Sequence, residues 1–151
     1  MWNDGIFWGS GVEPLDVPTD TLEDDAAIEA RRQTLPPRVA ETGFRWALQH
    51  DPKTVLDGIR DAMNRGDYES VRRQVNTSVG SPEGAEAMNR IMVEERNTAW
   101  MPSLRRFLDD GQAVILVGAM HLPGPAGLIS RLRAEGYTVV AIMLPTKPEA
   151  G

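Results

Sequence analysis

The sequence contains no cysteine, which excludes disulfides, a thiolate nucleophile and any zinc or iron–sulfur site built on cysteine. It has no run approaching the roughly 18 consecutive apolar residues of a bilayer span. It opens Met1-Trp2-Asn3-Asp4, with no basic residue leading into an apolar run. No signal peptide is therefore legible, and the cytoplasm is the default expectation. Basic residues are missing from one region altogether: residues 1–30 hold eight acids (Asp4, Glu13, Asp16, Asp20, Glu23, Asp24, Asp25, Glu29) and no Lys or Arg. The remaining residues carry 14 acids against 16 bases. An acidic head on a near-neutral body lacks the basic footprint that nucleic-acid binding needs.

What is present fits one globular domain. The chain has 151 residues, 41% hydrophobic and 25% charged, enough for a sizeable core without staples. Residues 5–19 mix Gly9, Gly11, Pro14 and Pro18 with no sustained period and read as coil. Thr21 to Gln33 predicts a helix with acids near its start and Arg31-Arg32 near its end, as the helix dipole favours. Leu35-Pro36-Pro37 breaks the chain. Residues 1–36 thus form an acidic leader, 37–146 the ordered body and 147–151 a tail.

Three amphipathic helices open the body. Pro37 starts the first, with Ala40, Phe44, Ala47 and Leu48 on one face. Asp51-Pro52 starts the second, which carries Val55, Leu56, Ile59 and Met63 and ends at Gly66. Asp67 caps the third, which buries Tyr68, Val71 and Val75. His50 falls at a helix C-terminus, where a cation is mildly favoured. After a turn-rich link, 76–84, a long helix runs through Met88, Ile91, Met92, Glu95 and Ala99. Pro102 predicts a kink or restart there.

The last 40 residues change character. Ala113 to Val117 is a short apolar run rich in β-branched residues and predicts a buried strand. Pro125 to Glu135 predicts a helix closed by Gly136, and Tyr137 to Met143 a second strand. Strand, helix and strand make a parallel βαβ unit with a right-handed crossover. The expected fold class is therefore α/β, rich in helix, with the βαβ unit at the C-terminal end. Two parallel strands alone make a poor sheet, so self-association or a further chain is expected to complete it.

Two residues attract chemical attention. His121 lies in the loop leaving the first predicted strand, beyond its carboxyl end, where open α/β sheets bind ligands. A metal ligand, a general base and a merely structural histidine are all compatible with that place. No Gly-Lys-Ser/Thr follows the loop, which excludes a Walker-type phosphate cradle. Glu95 sits about 20° from Met88 on an ideal helical wheel, inside the apolar stripe. No base stands three or four residues away from it, so either an outside partner satisfies it or the helix edge gives it to water. Arg96 has no acid at those spacings either, although Trp100 is placed to stack on it.

These residues also carry a resemblance. Glu95-Arg96-Asn97, Trp100, Val117-Gly118-Ala119-Met120-His121-Leu122-Pro123-Gly124, Gly127-Leu128 and Gly136-Tyr137-Thr138-Val139 resemble, in order and spacing, the C-terminal signature of the TraB/GumN family. Tiki and PrgY proteins are among its members. Tyr68 after Gly66-Asp67 fits the helical region upstream. The resemblance spans residues 40–145, is densest over 94–140 and does not reach 1–36.

The resemblance implies a metal-dependent hydrolase, peptidase-like in the Tiki branch, acting on a peptide or small molecule. It implies Mn, Co or Zn as cofactor and His121 as a metal ligand. Glu95 would be a second ligand or a general base, and Arg96 a stabiliser of developing negative charge. Asn97 and Gly124 would be substrate contacts. The family's first Gly-x-x-His motif is absent. Gly5-Ile6-Phe7-Trp8 ends in tryptophan, and His50 lies in a helix after Trp46-Ala47-Leu48-Gln49. One His and one Glu fall short of the three protein ligands usual for catalytic zinc. The expectation is the C-terminal half of a larger TraB/GumN-like fold, with an incomplete site and little activity alone. Its partner would be a missing N-terminal half or a second copy. The alternative is a non-catalytic remnant or interaction module that docks on another chain.

Overall fold

The computed structural model describes residues 20–142. The coil expected over 5–19, the end of the second expected strand at Met143 and the tail lie outside the described residues. Helices α1 (Asp25–Gln33), α2 (Pro37–Ala47), α3 (Pro52–Asn64), α4 (Tyr68–Ser78) and α5 (Pro82–Asn89) come first. A π-helical turn (Arg90–Glu94) leads into α6 (Glu95–Asp110), a 3-10 turn spans Ala119–His121, and α7 (Leu128–Ala134) closes the series.

Local chemistry sets the helix starts. The carboxylates of Asp24, Asp51 and Asp67 accept from backbone N–H groups of Ala27, Thr54 and Ser70 at 2.7, 3.0 and 3.0 Å. The Ser81 hydroxyl accepts from Gly84 N–H at 3.1 Å. Each such cap satisfies a donor that the helix leaves without an internal partner. Pro37, Pro52 and Pro82 occupy first-turn positions, where no N–H is needed. Helices α3 and α4 pack as a hairpin, and α2 packs on α4 and α5. His50 closes α2 as expected, its ring stacked on Trp46 at 3.8 Å and its Nδ1 2.7 Å from the Trp46 carbonyl.

The main apolar core joins α6 to α7. Trp100, Met101, Leu104 and Leu128 are buried together, with Leu22, Ile115, Val117 and Leu132 packed against them. Truncating a leucine such as Leu104 in such a cluster costs about 2–5 kcal/mol. Residue Pro102 does not interrupt α6. The helix does not restart there, and Trp100, Met101 and Leu104 anchor it in the core on both sides of the proline.

The expected α/β class is corrected: among the described residues there is no strand, and the architecture is all-α. Neither 113–117 nor 137–142 finds a ladder partner. Instead, 113–117 splits by alternation. Ile115 and Val117 pack on the core, whereas Val114 and Leu116 stand 99% and 77% exposed. Val140 and Ile142 are exposed in the same way. An apolar run is a strand only where neighbouring chain takes its backbone hydrogen bonds, and two short segments do not supply that. In the second segment the Val139 carbonyl accepts from the Arg133 guanidinium instead, at 2.8 Å.

Candidate functional site

Consecutive residues on a helix point about 100° apart, so Glu95, Arg96 and Asn97 face three directions, and the π turn before them sets which one meets the core. In that turn the Glu95 N–H bonds to the Arg90 carbonyl, five residues back. The extra residue shifts everything after it by roughly one residue's rotation, about 100°, from an unbroken α-helical wheel. Glu95 accordingly leaves the apolar stripe on which the sequence placed it. The buried row of α6 is Asn97, Trp100, Met101 and Leu104, spaced as one helical face.

Asn97 is wholly inaccessible to solvent. Its Nδ2 donates to the backbone carbonyls of His121 at 3.2 Å and Ala126 at 3.0 Å. Only the amide nitrogen can face two carbonyls, so the Oδ1 faces the imidazole, 2.7 Å from His121 Nδ1. An amide oxygen accepts and cannot donate. His121 Nδ1 therefore carries the proton, and the lone pair of the neutral ring resides on Nε2.

His121 is 6% exposed and its ring lies 4.4 Å from that of Trp100. Its turn packs against α4 and the π turn. Burial, and then the nearby Arg96 charge, push its pKa down to about 4. The ring is neutral at pH 7 as a result. The loop that carries it is shaped by glycine: Gly124 adopts φ +84°, and a Cβ at Gly127 would lie 2.2 Å from the Pro123 carbonyl oxygen.

Arg96 lies over the ring of the same tryptophan, its guanidinium carbon 4.9 Å from the Trp100 ring centroid. The row His121, Trp100, Arg96 continues to Glu23, whose carboxylate pairs with Arg96 Nε. Arg96 also donates to the Met92 carbonyl at 3.1 Å. Trp100 Nε1 is buried with no hydrogen-bond partner among the described residues.

Glu95 takes a different route. It is bracketed by Arg90 at 2.8 Å and Arg31 at 3.3 Å, and by helical geometry it faces about 160° away from Asn97. The structure thus joins Asn97 to His121 and links Arg96 to them through Trp100, while Glu95 belongs to a separate ion-pair cluster. Asn97, expected as a substrate contact, has its side chain occupied by the His121 loop. Gly124, the other expected substrate contact, forms the bend before α7. The sequence reading missed the partners Glu23, Arg31 and Arg90. Arg90 stands five residues from Glu95, a spacing that becomes adjacent only across a π turn, and Glu23 is 73 residues from Arg96.

A complete divalent-metal centre does not fit these residues. Among the described residues no three His, Cys, Asp or Glu side chains gather closely enough to hold a metal ion. His121 Nε2 is a suitable donor, whereas the Glu95 carboxylate is already engaged by two guanidiniums. An open, mostly apolar groove of about 640 Å³ lies between α2, α4 and α5, lined by residues such as Leu35, Phe44, Val79, Met88 and Met92. Neither His121 nor Glu95 lines it.

Compared with known proteins, residues 16–141 match the model of the TraB/PrgY/gumN family. The match takes in much of the acidic segment before Pro37, which the sequence resemblance did not reach. No curated protein and no solved structure matches the chain.

Proposed function

The chain belongs to the TraB/PrgY/gumN family, and from that premise we propose that it contributes one half of a metal-dependent hydrolytic centre of peptidase type. His121 is the donor that this half supplies, and Arg96 is its cation for developing negative charge. The remaining metal donors come from outside the described residues. The observation that carries the reading is the Asn97–His121 pairing. Metal-bound histidines commonly donate their other ring N–H to an oxygen acceptor, as His121 Nδ1 does to the buried Asn97 amide, which leaves Nε2 as the lone-pair nitrogen. By itself the half-site binds a metal weakly and turns over little or no substrate.

The test is titration of the purified chain with Mn, Co or Zn, wild type beside His121→Ala. Weak binding by the wild type that disappears in the variant supports the half-site. Equal binding by both, or none by either, rejects it.

A second reading has its own observation. Val114, Leu116, Val140 and Ile142 are large apolar side chains left open to water, which favours a non-catalytic docking module that covers them. Sedimentation of wild type beside Val114→Lys/Leu116→Lys separates the two. Self-association lost in the double variant supports docking to a second copy, and a monomer in both removes that form of the reading.

A further inference from the structure

Three ion pairs cross from one short segment to the site-bearing helix. Asp20 pairs with Arg106 at 3.2 Å, Glu23 with Arg96, and Arg31 with Glu95 at 3.3 Å. The segment from Asp20 through α1 therefore engages both charged residues of the Glu95-Arg96 motif, each with the opposite charge. The Glu23–Arg96 pair is much the most enclosed of the three, its side chains only 11% and 17% exposed.

Charge holds the segment down together with the packing of α1 on the π turn, where Ala27 and Ile28 are half-buried. Helix α1 buries no residue of its own, and Leu22 is the segment's one side chain packed against the main core cluster. The Arg31 contact is imperfect as well, because its Nε is buried without a partner among the described residues. An element with few buried contacts and an ion-paired hold opens at lower free energy than the core beneath it. Salt weakens the exposed Asp20–Arg106 pair most and the enclosed Glu23–Arg96 pair least.

We propose that Asp20–Gln33 is a releasable strap, and that Glu23 occupies on Arg96 the place of a carboxylate belonging to a ligand. The inference rests on reading Arg96 as a site residue, as above. Arg96 offers a planar fork of donors backed by the Trp100 face, a geometry suited to carboxylate. Glu23 delivers its carboxylate from outside the helix. When the strap lifts, that carboxylate leaves and Arg96 is opened to a carboxylate-bearing ligand, with Glu95 released from Arg31 in the same motion.

The experiment is hydrogen exchange along the full chain for wild type and Glu23→Gln, followed by titration of each with glutarate and with its uncharged diamide. In Glu23→Gln, amides 25–33 lose protection by about tenfold or more while those of 97–104 stay within about threefold of wild type. Glutarate then perturbs the Arg96 Nε–H resonance of the variant at concentrations that leave wild type unchanged, and the diamide perturbs neither. A salt series on the unmutated chain stands apart from any folding defect. Raising NaCl from roughly 0.1 M to roughly 1 M shortens the Debye length from about 10 to about 3 Å and should selectively expose 25–33. Unchanged exchange in both series, or equal glutarate response in the two proteins, overturns the strap. None of these readouts uses a metal, so the strap and the half-site fail separately.

Discussion

The Asn97 amide and the His121 imidazole lock each other. Two backbone carbonyls hold the Asn97 nitrogen, at 3.2 and 3.0 Å, so its oxygen must meet Nδ1 at 2.7 Å. One side chain thus sets the orientation of the ring, its tautomer and the path of the loop that bears it.

Asn97→Ala removes that lock. It strands the ring N–H and the His121 carbonyl in a buried place, each unsatisfied group costing about 1–3 kcal/mol, while the Ala126 carbonyl keeps the Arg131 Nε–H at 2.8 Å. Water entering the smaller side chain's space recovers part of this, so a loss of about 2–4 kcal/mol is expected. Denaturant unfolding should show a lower midpoint with an unchanged slope.

Acid destabilises the fold through His121. The folded ring titrates at about 4, below the ordinary value of 6.5. Between those values the unfolded chain binds a proton that the folded chain refuses, so stability rises with pH across the window. The contribution is fully present above pH 6.5 and is lost as pH falls toward 4. Its slope approaches about 1.4 kcal/mol per pH unit at most. His121→Gln should flatten the stability curve there by that amount, measured by unfolding at stepped pH.

Glu95→Gln should cost little, below about 1 kcal/mol, because the Glu95 side chain and that of its partner Arg90 reach solvent, 42% and 59% exposed. Thermal unfolding of this variant beside Asn97→Ala checks the ranking. A loss from Glu95→Gln as large as that from Asn97→Ala would contradict the placement of Glu95 outside the buried row.

Gly127→Ala should destabilise by about 1–3 kcal/mol through overpacking. Its Cβ would meet backbone oxygens of Pro123 and Leu122 at 2.2 and 2.4 Å, and backbone cannot swing aside as a side chain can. Gly136→Ala meets no atom within 4 Å, and its cost comes from φ +95° alone. Comparing the two by calorimetry separates collision from backbone strain.

The legible parts of this protein were those written in local chemistry. Caps at Asp51 and Asp67 and prolines at the first turns of α2 and α3 announced those helices, and the stacking of Arg96 on Trp100 followed from spacing alone. Ser81 and Pro82, by contrast, start α5 inside what reads as a link. The π turn was not announced. Taking each residue as 100° put Glu95 on the apolar stripe with Arg90 out of its reach, and one five-residue turn moved it off the stripe and beside Arg90. The apolar runs 113–117 and 137–142 had strand composition, yet composition supplies no ladder partner. Glu23 and Arg31 reach the site across more than 60 residues, and no short-range pattern marks such a contact.

The nitrogen shifts of His121 test the account most directly. With 15N-labelled chain near pH 7, the account predicts a protonated Nδ1 and an unprotonated Nε2, unchanged down to about pH 5. A ring protonated on Nε2, or one exchanging between tautomers, would contradict the Asn97 lock and remove the donor on which the half-site depends.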